Sequence, residues 1–413
     1  MENRTGLFTN GVIWFGVAIS VSEIEAGIGI GAMSSLSSLW VPLVLGHVLG
    51  GILLFFVGLI GARLRLNAME TITSTFGTYG SKFFAVLNVS QLIAWIAVLN
   101  AQGASALAGL NLPISFALTC ILLATLIAMW VYVGLQRSSK IATVVMGILS
   151  VLLLVLTVKL FAVDVSSLVS LSNLSGMTGN TSDLNFWNIF EISIAMPISW
   201  FPVISDYTKD VKKPVKATFV SAAAYTIASL WMYFIGIEIA GIGANISIAQ
   251  AILIAGLGIP GIIILVLSTV TTNFLAANSA GESAKAIYPK LNPKLVGMII
   301  SFISAGLAIS GIMDHYIGLL YLIASVFAPM AAVLLVSFYF DKDCFDNDGG
   351  GWYWNLFAWF VGFIVYQVTV NMDSIMLGPT LLAIIVSAVL TYLGVIVKKK
   401  FHNQKILSEL YDI

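Results

Sequence analysis

One apolar segment of membrane-spanning length carries two carboxylates near its middle and three closely spaced glycines after them. The segment GVIWFGVAISVSEIEAGIGIGAMS contains Glu23 and Glu25. A charge at the bilayer centre costs about 2.5–3.5 kcal/mol on insertion scales, so such side chains should face protein or a wet cavity and mark a functional site. Gly27, Gly29 and Gly31 have low helix propensity, which predicts that the backbone opens near the carboxylates. The alternative is a glycine-rich packing face with the carboxylates solvated near a helix end.

The composition is that of a chain that lies mostly in lipid. Of the 413 residues, 59% are hydrophobic and 9% are charged, and the mean hydropathy is +1.01. Soluble proteins have about 25% charged residues. We therefore predict an all-α polytopic membrane protein. The formal net charge is zero, so the total charge indicates neither a nucleic acid nor an acidic partner.

A count of about 20 apolar residues per span predicts twelve transmembrane helices. Because an even number of spans returns the chain to its starting side, both termini lie on one face of the membrane. All of the 19 Lys and Arg residues except Lys159 fall on that face, which the positive-inside rule makes cytoplasmic. We expect a multi-pass protein of the plasma (cytoplasmic) membrane with both termini in the cytoplasm. The predicted spans are 11–34, 39–61, 80–109, 113–134, 140–161, 187–205, 217–240, 256–281, 295–312, 316–339, 352–371 and 378–397.

The first and sixth spans both contain signals for a helix break. In the sixth, Pro197 and Pro202 lie close together in apolar surroundings, and we expect the helix to unwind between them because proline removes a backbone donor. Breaks at these positions indicate two five-span halves, and the odd number of spans in each half makes the repeats inverted. Paired interrupted spans are typical of the midplane substrate site of secondary transporters. The expected parts are a first repeat (1–161), an outer loop (162–186), a second repeat (187–339), a cytoplasmic linker (340–351) and two further spans with a cytoplasmic tail (352–413).

The third and sixth spans each combine an aromatic side chain with a polar one. Gln91 and Trp95 lie four residues apart and share a helix face, and Ser199 directly precedes Trp200. An indole offers a flat stacking surface and an amide offers a donor and an acceptor, which suits a planar heterocycle. For an isolated pair, interfacial tryptophan and routine helix–helix hydrogen bonding are the commoner explanation. The coincidence of two such pairs with Glu23 favours a binding site.

The eighth span is unusually dense in hydroxyls and amides. It reads LSTVTTNFLAANSAGES, and Thr271 and Thr272 offer two hard oxygens to a small cation. Carbonyls of an unwound first span would add further ligands, as at sodium sites beside broken helices. The alternative is that each hydroxyl bonds back to the carbonyl four residues earlier. Spacing alone leaves the two open.

Four further polar side chains receive structural interpretations. His47, inside the second span, is as often a packed hydrogen-bonding residue as a proton carrier, and we assign it no catalytic role. Glu191 and Glu238 lie near the ends of the sixth and seventh spans, which favours solvated carboxylates at headgroup level. Asp206 follows the sixth span and is interpreted as a helix cap or a partner of nearby lysines.

Five segments, WFGVAISVSEIEAG, LGHVLGGILLFFVGLIGARL, LNVSQLIAW, AMPISWFPVISDYTKD and TTNFLAANSAG, together resemble a known family in order and spacing. This is the nucleobase-cation symporter family, and the resemblance is greatest to its hydroxymethylpyrimidine (thiamin-precursor) permease branch, which is related to cytosine permease. The resemblance extends over the first ten spans. It implies a five-plus-five inverted-repeat fold that works by alternating access, with a bundle of helices moving against a scaffold.

The resemblance also implies a sodium site and a substrate site. The implied sodium ligands are the carbonyls of Phe15, Ala18 and Ser268 and the hydroxyls of Thr271 and Thr272. Both hydroxyl positions are kept, which favours sodium over protons. The implied substrate positions are Ile19 and Ser20, where the resemblance places the first-span break, Gln91, Trp95 and Pro197 to Trp200, including Ser199.

Glu23 and His47 separate this sequence from cytosine permeases, which are neither acidic nor basic at these places. An aminopyrimidine presents an amine beside a ring nitrogen. A buried carboxylate accepts from the amine and from a protonated ring nitrogen together, a charge-assisted pair about twice as strong as a neutral hydrogen bond. We therefore expect Glu23 to bind the aminopyrimidine edge while Trp95 or Trp200 stacks on the ring. The sequence departs from the branch at Ala277 and Asn278, where the branch is acidic and aromatic.

The predicted function is sodium-coupled import of hydroxymethylpyrimidine or a related thiamin-pyrimidine, without cofactor or covalent chemistry. The alternative is a cytosine or purine permease, with proton coupling as a second option. A channel would need a continuous polar stripe along several spans, whereas the polar groups here cluster at one depth. An enzyme would need a metal cluster or a nucleophile–base pair, which three scattered His and two separated Cys do not supply. The expected partners are a small heterocyclic substrate, sodium and the lipid bilayer, with no nucleic acid.

Overall fold

Helices make up the regular structure of the described part of the chain. The computed structural model describes residues 4–34, 36–110, 113–162, 184–243, 246–341, 352–372 and 377–411. Within them, a 3-10 turn at Ile312–His315 and an isolated bridge between Thr5 and Val211 are the exceptions to α-helix among the regular elements. The helices are α1 (Leu7–Ala18), α2 (Val21–Ala32), α3 (Leu36–Leu64), α4 (Ala68–Ala108), α5 (Phe116–Val133), α6 (Leu135–Phe161), α7 (Phe186–Ser199), α8 (Ile204–Thr208), α9 (Pro214–Ile242), α10 (Ile248–Ile254), α11 (Gly258–Ile287), α12 (Pro293–Ile309), α13 (Tyr316–Phe340), α14 (Trp352–Thr369) and α15 (Pro379–Tyr411).

Every predicted span contains a helix of the structure. Among the described residues, eight helices are long and apolar enough to cross a membrane, and the bent pair α1–α2 adds a ninth such span. Helices α7, α12 and α14 occupy the sixth, ninth and eleventh predicted spans. The prediction of an all-α polytopic membrane protein is confirmed.

The chain breaks in the first span at Ile19 and Ser20, where α1 and α2 meet at 52°. The prediction that the backbone opens at the glycines is wrong, because all three glycines are helical within α2. A Cβ built on Gly27 would collide with the carbonyl of Tyr233, and one built on Gly236 would collide with the carbonyl of Ile24. The glycine face therefore lets α2 pack closely against α9, as the alternative interpretation expected.

The sixth span breaks between the two prolines, as predicted, but the break begins only at Trp200 and extends to Val203. Helix α7 continues through Pro197 to Ser199, and residues 200–203 form a tight turn before α8. The turn is closed by hydrogen bonds from Trp200 N to Pro197 O (3.2 Å) and from Phe201 N to Ile198 O (3.0 Å). The Pro197 ring packs against α3, so its observed role is packing.

Thirteen of the fifteen described helices fall into three packed groups, while α6 and α10 contact helices of the first two. We call α1, α2, α3, α7, α8 and α9 the bundle, and α4, α5, α11 and α12 the scaffold. The third group is α13, α14 and α15. Both helix breaks belong to the bundle, and they lie where the bundle contacts the scaffold.

Glu191 is not the solvated carboxylate that the sequence suggested. Its Oε1 accepts a hydrogen bond from the backbone N of Thr380 (3.1 Å) in the first turn of α15. A carboxylate is favourable at a helix N-terminus because the helix dipole is positive there. Glu191 therefore ties α7 of the bundle to α15 of the third group. The predicted outer loop and cytoplasmic linker lie almost entirely outside the described residues.

Candidate functional site

The C-terminal end of α1 faces α11 of the scaffold across the first break. The last four carbonyls of a helix have no partner within it and carry the negative end of the helix dipole. Thr272 Oγ1 donates to the carbonyls of Val17 (3.2 Å) and Ile19 (3.3 Å). One hydroxyl and two carbonyl oxygens therefore converge between the bundle and the scaffold.

The other two predicted ligands in α11 are the hydroxyl of Thr271 and the carbonyl of Ser268. Thr271 Oγ1 donates to Leu267 O (2.7 Å) and lies 3.2 Å from Ser268 O. Both residues are buried. The Thr271 hydroxyl therefore bonds back to the carbonyl four residues earlier, as in the alternative interpretation, and Thr272 is the residue of this set that contacts the first break.

Phe15 and Ala18, the predicted carbonyl ligands of the first span, both belong to the last turn of α1. The carbonyls that Thr272 contacts are those of Val17 and Ile19, on either side of Ala18. The predicted ligands and the observed contacts therefore share one helix end, but the structure pairs Thr272 with the neighbouring carbonyls.

Glu23 lies inside the bundle with hydroxyl partners. The Ser20 hydroxyl caps α2 by accepting from Glu23 N (3.2 Å), which fixes Glu23 in the first turn of that helix. The Glu23 side chain is 3% exposed. Its carboxylate oxygens accept from Tyr225 Oη (3.1 Å) and from Ser229 Oγ, both on α9. Glu23 thus faces protein, as its cost in lipid requires.

His47 is fully buried on α3 and extends the same network. Its Nε2 lies 2.8 Å from Ser229 Oγ, and its Nδ1 lies 2.6 Å from Ser193 Oγ and 3.1 Å from Leu43 O. The edge of the ring packs against Tyr233 at a centroid distance of 4.7 Å. His47 is therefore a packed, hydrogen-bonded residue that reaches Glu23 through one shared hydroxyl.

Gln91 connects the scaffold to the second break. Its Nε2 donates to Asn88 Oδ1 (2.7 Å) and to the carbonyl of Ser199 (3.3 Å) at the end of α7. Its Oε1 is buried and has no hydrogen-bond partner. Because a main-chain carbonyl only accepts, the amide orientation is fixed and the free oxygen is an acceptor.

The two predicted tryptophans lie on opposite sides of the bundle–scaffold boundary. Trp200, in the second break, makes edge contacts with Trp14 (5.9 Å between centroids) and Tyr225 (6.4 Å) in the bundle. Trp95, on α4 of the scaffold, lies nearly parallel to Tyr316, with centroids 6.2 Å apart and planes at 19°. Both tryptophans are buried. The structure therefore provides one aromatic surface from each group of helices.

Sequence reasoning missed Asn273, directly after Thr272 on α11. It is fully buried, and neither Oδ1 nor Nδ2 has a hydrogen-bond partner. One turn earlier, the buried Thr269 hydroxyl is also without a partner. Buried polar groups are normally satisfied, so a donor and an acceptor left unpaired in one side chain indicate a ligand or water. The nearby Asn278 differs from Asn273 because it is less buried and its Nδ2 donates to Tyr207. The sequence alone does not show this difference in burial.

On the α2 side of the breaks, polar contacts join the bundle to its neighbours. Gln102 Nε2 on the scaffold donates to Glu25 Oε2 (2.5 Å). Ser22 Oγ lies 3.1 Å from Tyr316 Oη at the start of α13. Glu25 is thus held by a scaffold amide and not solvated at a helix end.

On the α8 side, a second set of contacts joins bundle and scaffold. Asp206 accepts from Ser279 Oγ on α11 (2.8 Å) and from the backbone N of Ala68 at the start of α4 (2.9 Å). Tyr207 Oη donates to Leu275 O (2.8 Å). The predicted capping role of Asp206 is present in the structure. Hydrogen bonds therefore join the bundle to the scaffold on both sides of the breaks.

Comparisons with known proteins agree with this architecture. A family model described as permease for cytosine/purines, uracil, thiamine, allantoin matches residues 2–374. No curated protein matches the chain. The structure is similar to Mhp1, a nucleobase-cation-symport-1 family transporter, in a closed conformation with bromovinylhydantoin bound (18% identity, TM-score 0.69, 95% of this chain and 92% of that chain).

Two further solved structures show the same fold. The inward-facing conformation of Mhp1 matches at 20% identity with a TM-score of 0.72, over 96% of this chain and 92% of that chain. A Na⁺-coupled sialic acid symporter in a substrate-bound outward-open state matches at 15% identity with a TM-score of 0.69, over 95% and 88%. The predicted resemblance is confirmed at the level of the family. Since the family model covers most of the chain and the transporter fold covers nearly all of it, this protein belongs to the family of permeases for cytosine and purines, uracil, thiamine and allantoin, as a multi-pass membrane transporter.

Proposed function

We propose that this protein is a secondary active transporter that imports hydroxymethylpyrimidine or a related thiamin-pyrimidine by sodium-coupled alternating access. The observation that carries the proposal is the free Oε1 of Gln91 beside the second break. A buried acceptor without a partner costs about 1–3 kcal/mol. A substrate N–H that bonds to this oxygen removes that cost, which favours a ligand with an exocyclic amine or a ring N–H.

The aromatic surfaces favour a flat ligand. Trp200 belongs to the bundle and Trp95 to the scaffold, and we assign both indoles to the ring of the substrate. Aromatic pairs contribute about 0.5–1.5 kcal/mol beyond their buried area. Asn273 adds an unpaired donor and an unpaired acceptor on the scaffold side. This chemistry suits a pyrimidine, whose edge alternates donors and acceptors.

Glu23 is assigned to the aminopyrimidine edge. Its two oxygens each accept one hydrogen bond within the bundle, and a carboxylate offers about four acceptor sites. Lone pairs therefore remain for a substrate amine. A carboxylate in this place favours an aminopyrimidine over a ring that presents only acceptors.

Sodium is assigned to the place where α1 ends against α11. The Thr272 hydroxyl and the carbonyls of Val17 and Ile19 are hard oxygens. The two carbonyls lie at the negative end of α1. Phe15, Ala18, Ser268 and Thr271 lie on the same two helix segments and are the further proposed ligands. Since the ligands come from both groups of helices, a bound cation stabilises the arrangement in which bundle and scaffold are joined. This links ion binding to the conformational cycle.

The division of the chain follows from this scheme. We assign residues 1–161 and 187–339 to the two inverted repeats, and residues 352–413 to the additional spans and tail. The basic residues favour cytoplasmic termini, and we assign the protein to the plasma membrane. Import then means that substrate and sodium enter from the face opposite the termini.

The test is uptake into proteoliposomes that contain the full-length protein. Radiolabelled hydroxymethylpyrimidine is offered with an inward sodium gradient, with an equal choline gradient, and with excess unlabelled cytosine, adenine or uracil. We expect sodium-dependent accumulation that unlabelled hydroxymethylpyrimidine abolishes and the other bases reduce little. Accumulation of cytosine in preference to hydroxymethylpyrimidine would replace the substrate assignment, and equal uptake in choline would remove the sodium assignment.

A further inference from the structure

A continuous chain of hydrogen-bonding groups runs through the interior of the bundle. It starts at Glu23 on α2 and passes through Ser229 on α9, His47 on α3 and Ser193 on α7 to the carbonyl of Leu43. The separation is 2.8 Å between Ser229 Oγ and His47 Nε2 and 2.6 Å between His47 Nδ1 and Ser193 Oγ. Ser193 Oγ lies 2.5 Å from Leu43 O. Each member can receive a proton on one side and give one on the other, except the terminal carbonyl.

Among the described residues, no cation lies beside these hydrogen-bonded groups to compensate a negative charge on Glu23. Glu23 is 3% exposed, and the other three side chains are fully buried. The titratable groups that face Glu23 or His47 from neighbouring helices are Tyr225, Tyr233 and Tyr316, and Glu25 follows Glu23 by two residues on α2. An unpaired ionised carboxylate in such a medium is costly. A proton relieves that cost without any movement of the helices.

The hydrogen-bond inventory is complete when Glu23 carries a proton. Protonated Glu23 donates to Ser229 Oγ, Ser229 donates to His47 Nε2, His47 Nδ1–H donates to Ser193 Oγ, and Ser193 donates to Leu43 O. Every donor then has one acceptor, and no member of the chain is charged.

The inventory runs in the opposite direction when Glu23 is ionised. Ser229 has a single proton, so if it donates to Glu23 it must accept from Nε2–H of His47. Neutral His47 then has a bare Nδ1, which accepts from Ser193. The two arrangements differ by exactly one proton. Loading moves protons from Ser193 to Nδ1, from Nε2 to Ser229 and from Ser229 to Glu23, while Ser193 takes up the incoming proton.

We propose that Glu23, Ser229 and His47 form a proton-binding site, in which one proton bound at Glu23 moves the ring proton of His47 from Nε2 to Nδ1. The ligand of this site is the proton itself. The site lies within the bundle and shares Glu23 with the proposed substrate site, so the affinity for an aminopyrimidine depends on whether the proton is present. The meaning of the site for uptake rests on the proposed function, but the site itself does not.

The test is the tautomeric state of His47, measured by nitrogen-15 magnetic resonance on the full-length protein in lipid nanodiscs without substrate. The chain has three histidines, so a His47→Gln spectrum identifies the His47 signals. In the unmodified protein we expect the Nδ1–H tautomer at acidic pH and the Nε2–H tautomer at alkaline pH. In Glu23→Gln, the amide N–H replaces the carboxyl proton as donor to Ser229, so His47 should remain in the Nδ1–H form throughout.

Two serine variants on α9 complete the test. Ser229→Ala removes the link and should leave His47 insensitive to the state of Glu23. Ser221 is the control, because its buried hydroxyl donates to Ala217 O on the same helix. The variant Ser221→Ala should behave like the unmodified protein. One tautomer at all pH values in the unmodified protein, or a charged His47 ring that titrates identically with and without Glu23, would overturn the proposal. Neither result depends on transport, so loss of the substrate assignment and loss of the proton site remain distinguishable.

Discussion

The two helix breaks of the bundle are built from opposite kinds of residue. The first consists of Ile19 and Ser20, and the Ser20 hydroxyl caps the helix that follows. The second consists of residues 200–203, a tryptophan, a phenylalanine, a proline and a valine that are all buried, and α8 begins there without a side-chain cap. The first break therefore presents backbone dipoles and hydroxyls. The second presents ring surface together with the carbonyl of Ser199.

This difference separates two tasks at one boundary. Oxygen ligands from the first break meet a scaffold hydroxyl at Thr272, which is chemistry for a small cation. The second break meets a scaffold amide at Gln91, next to an aromatic side chain, which is chemistry for a planar ring. Variants at the two breaks should consequently have separable effects on ion dependence and on substrate affinity.

The largest effect is expected from Thr272→Ala, on the ion side of the comparison. The alanine removes the hydroxyl that two carbonyls of the first break share, and a lost buried hydrogen-bond partner costs about 1–3 kcal/mol per group. We expect sodium-driven uptake in proteoliposomes to fall by about 100-fold, while the substrate concentration for half-saturation changes much less. Thr272→Ser should retain most of the activity.

Thr125→Ala is the matched control for this variant, because Thr125 Oγ1 on α5 bonds only to the carbonyl of Ile121 in its own helix. Loss of substrate affinity without loss of sodium dependence in Thr272→Ala would contradict the assignment of the first break to the ion.

A smaller effect is expected from Gln91→Leu, and it should concern substrate affinity and not sodium dependence. The leucine fills a similar volume but removes the free acceptor and the bond to Ser199 O. A single hydrogen bond of about 1.4 kcal/mol corresponds to a factor of about ten. We expect the half-saturating substrate concentration to rise about tenfold, with unchanged dependence on sodium, in the same uptake assay. An altered sodium dependence would show that the two breaks do not divide the tasks.

Trp200→Phe tests the ring surface of the second break alone. Phenylalanine keeps a flat face but gives up part of the contact with Trp14 and Tyr225, and such pairs are worth about 0.5–1.5 kcal/mol. The expected result is about a two- to tenfold loss of substrate affinity. Trp95→Phe on the scaffold serves as the companion variant. If neither change alters the affinity for hydroxymethylpyrimidine, the aromatic surfaces do not bind the substrate ring.

Much of the fold can be predicted from the local sequence. Span positions follow from apolar length, and the burial of Glu23 follows from the cost of a charge in lipid. The two prolines predict the second break, which starts at Trp200 because the helix continues through Pro197 to Ser199. These features depend on short segments, which is why a single sequence predicts them to within a turn.

The errors concern partners that are distant in sequence. Gly27 was expected to open the backbone, but its close neighbour is Tyr233 on α9, and only the packed helices reveal that. The pairing of Thr272 with Val17 and Ile19 depends on the rotation of two helices about their axes. The unpaired amide of Asn273 is likewise invisible in a sequence, because residue type does not record whether a polar atom has found a partner.

The smallest effect is expected from Ser20→Ala, which removes the cap that distinguishes the first break from the second. Loss of a serine N-cap costs about 1 kcal/mol, and in a chain of this size that lowers the melting temperature by no more than about 3 °C. The cap also holds Glu23 N, so the first turn of α2 loosens where the carboxylate is fixed. Ser20→Asp, which also caps helices well, should restore the melting temperature but place a second negative charge beside Glu23. If Ser20→Asp has the melting temperature of the unmodified protein but a lower uptake, the first break needs the neutral hydroxyl of Ser20 for function. If both the melting temperature and the uptake match those of the unmodified protein, the Ser20 side chain serves only to begin α2.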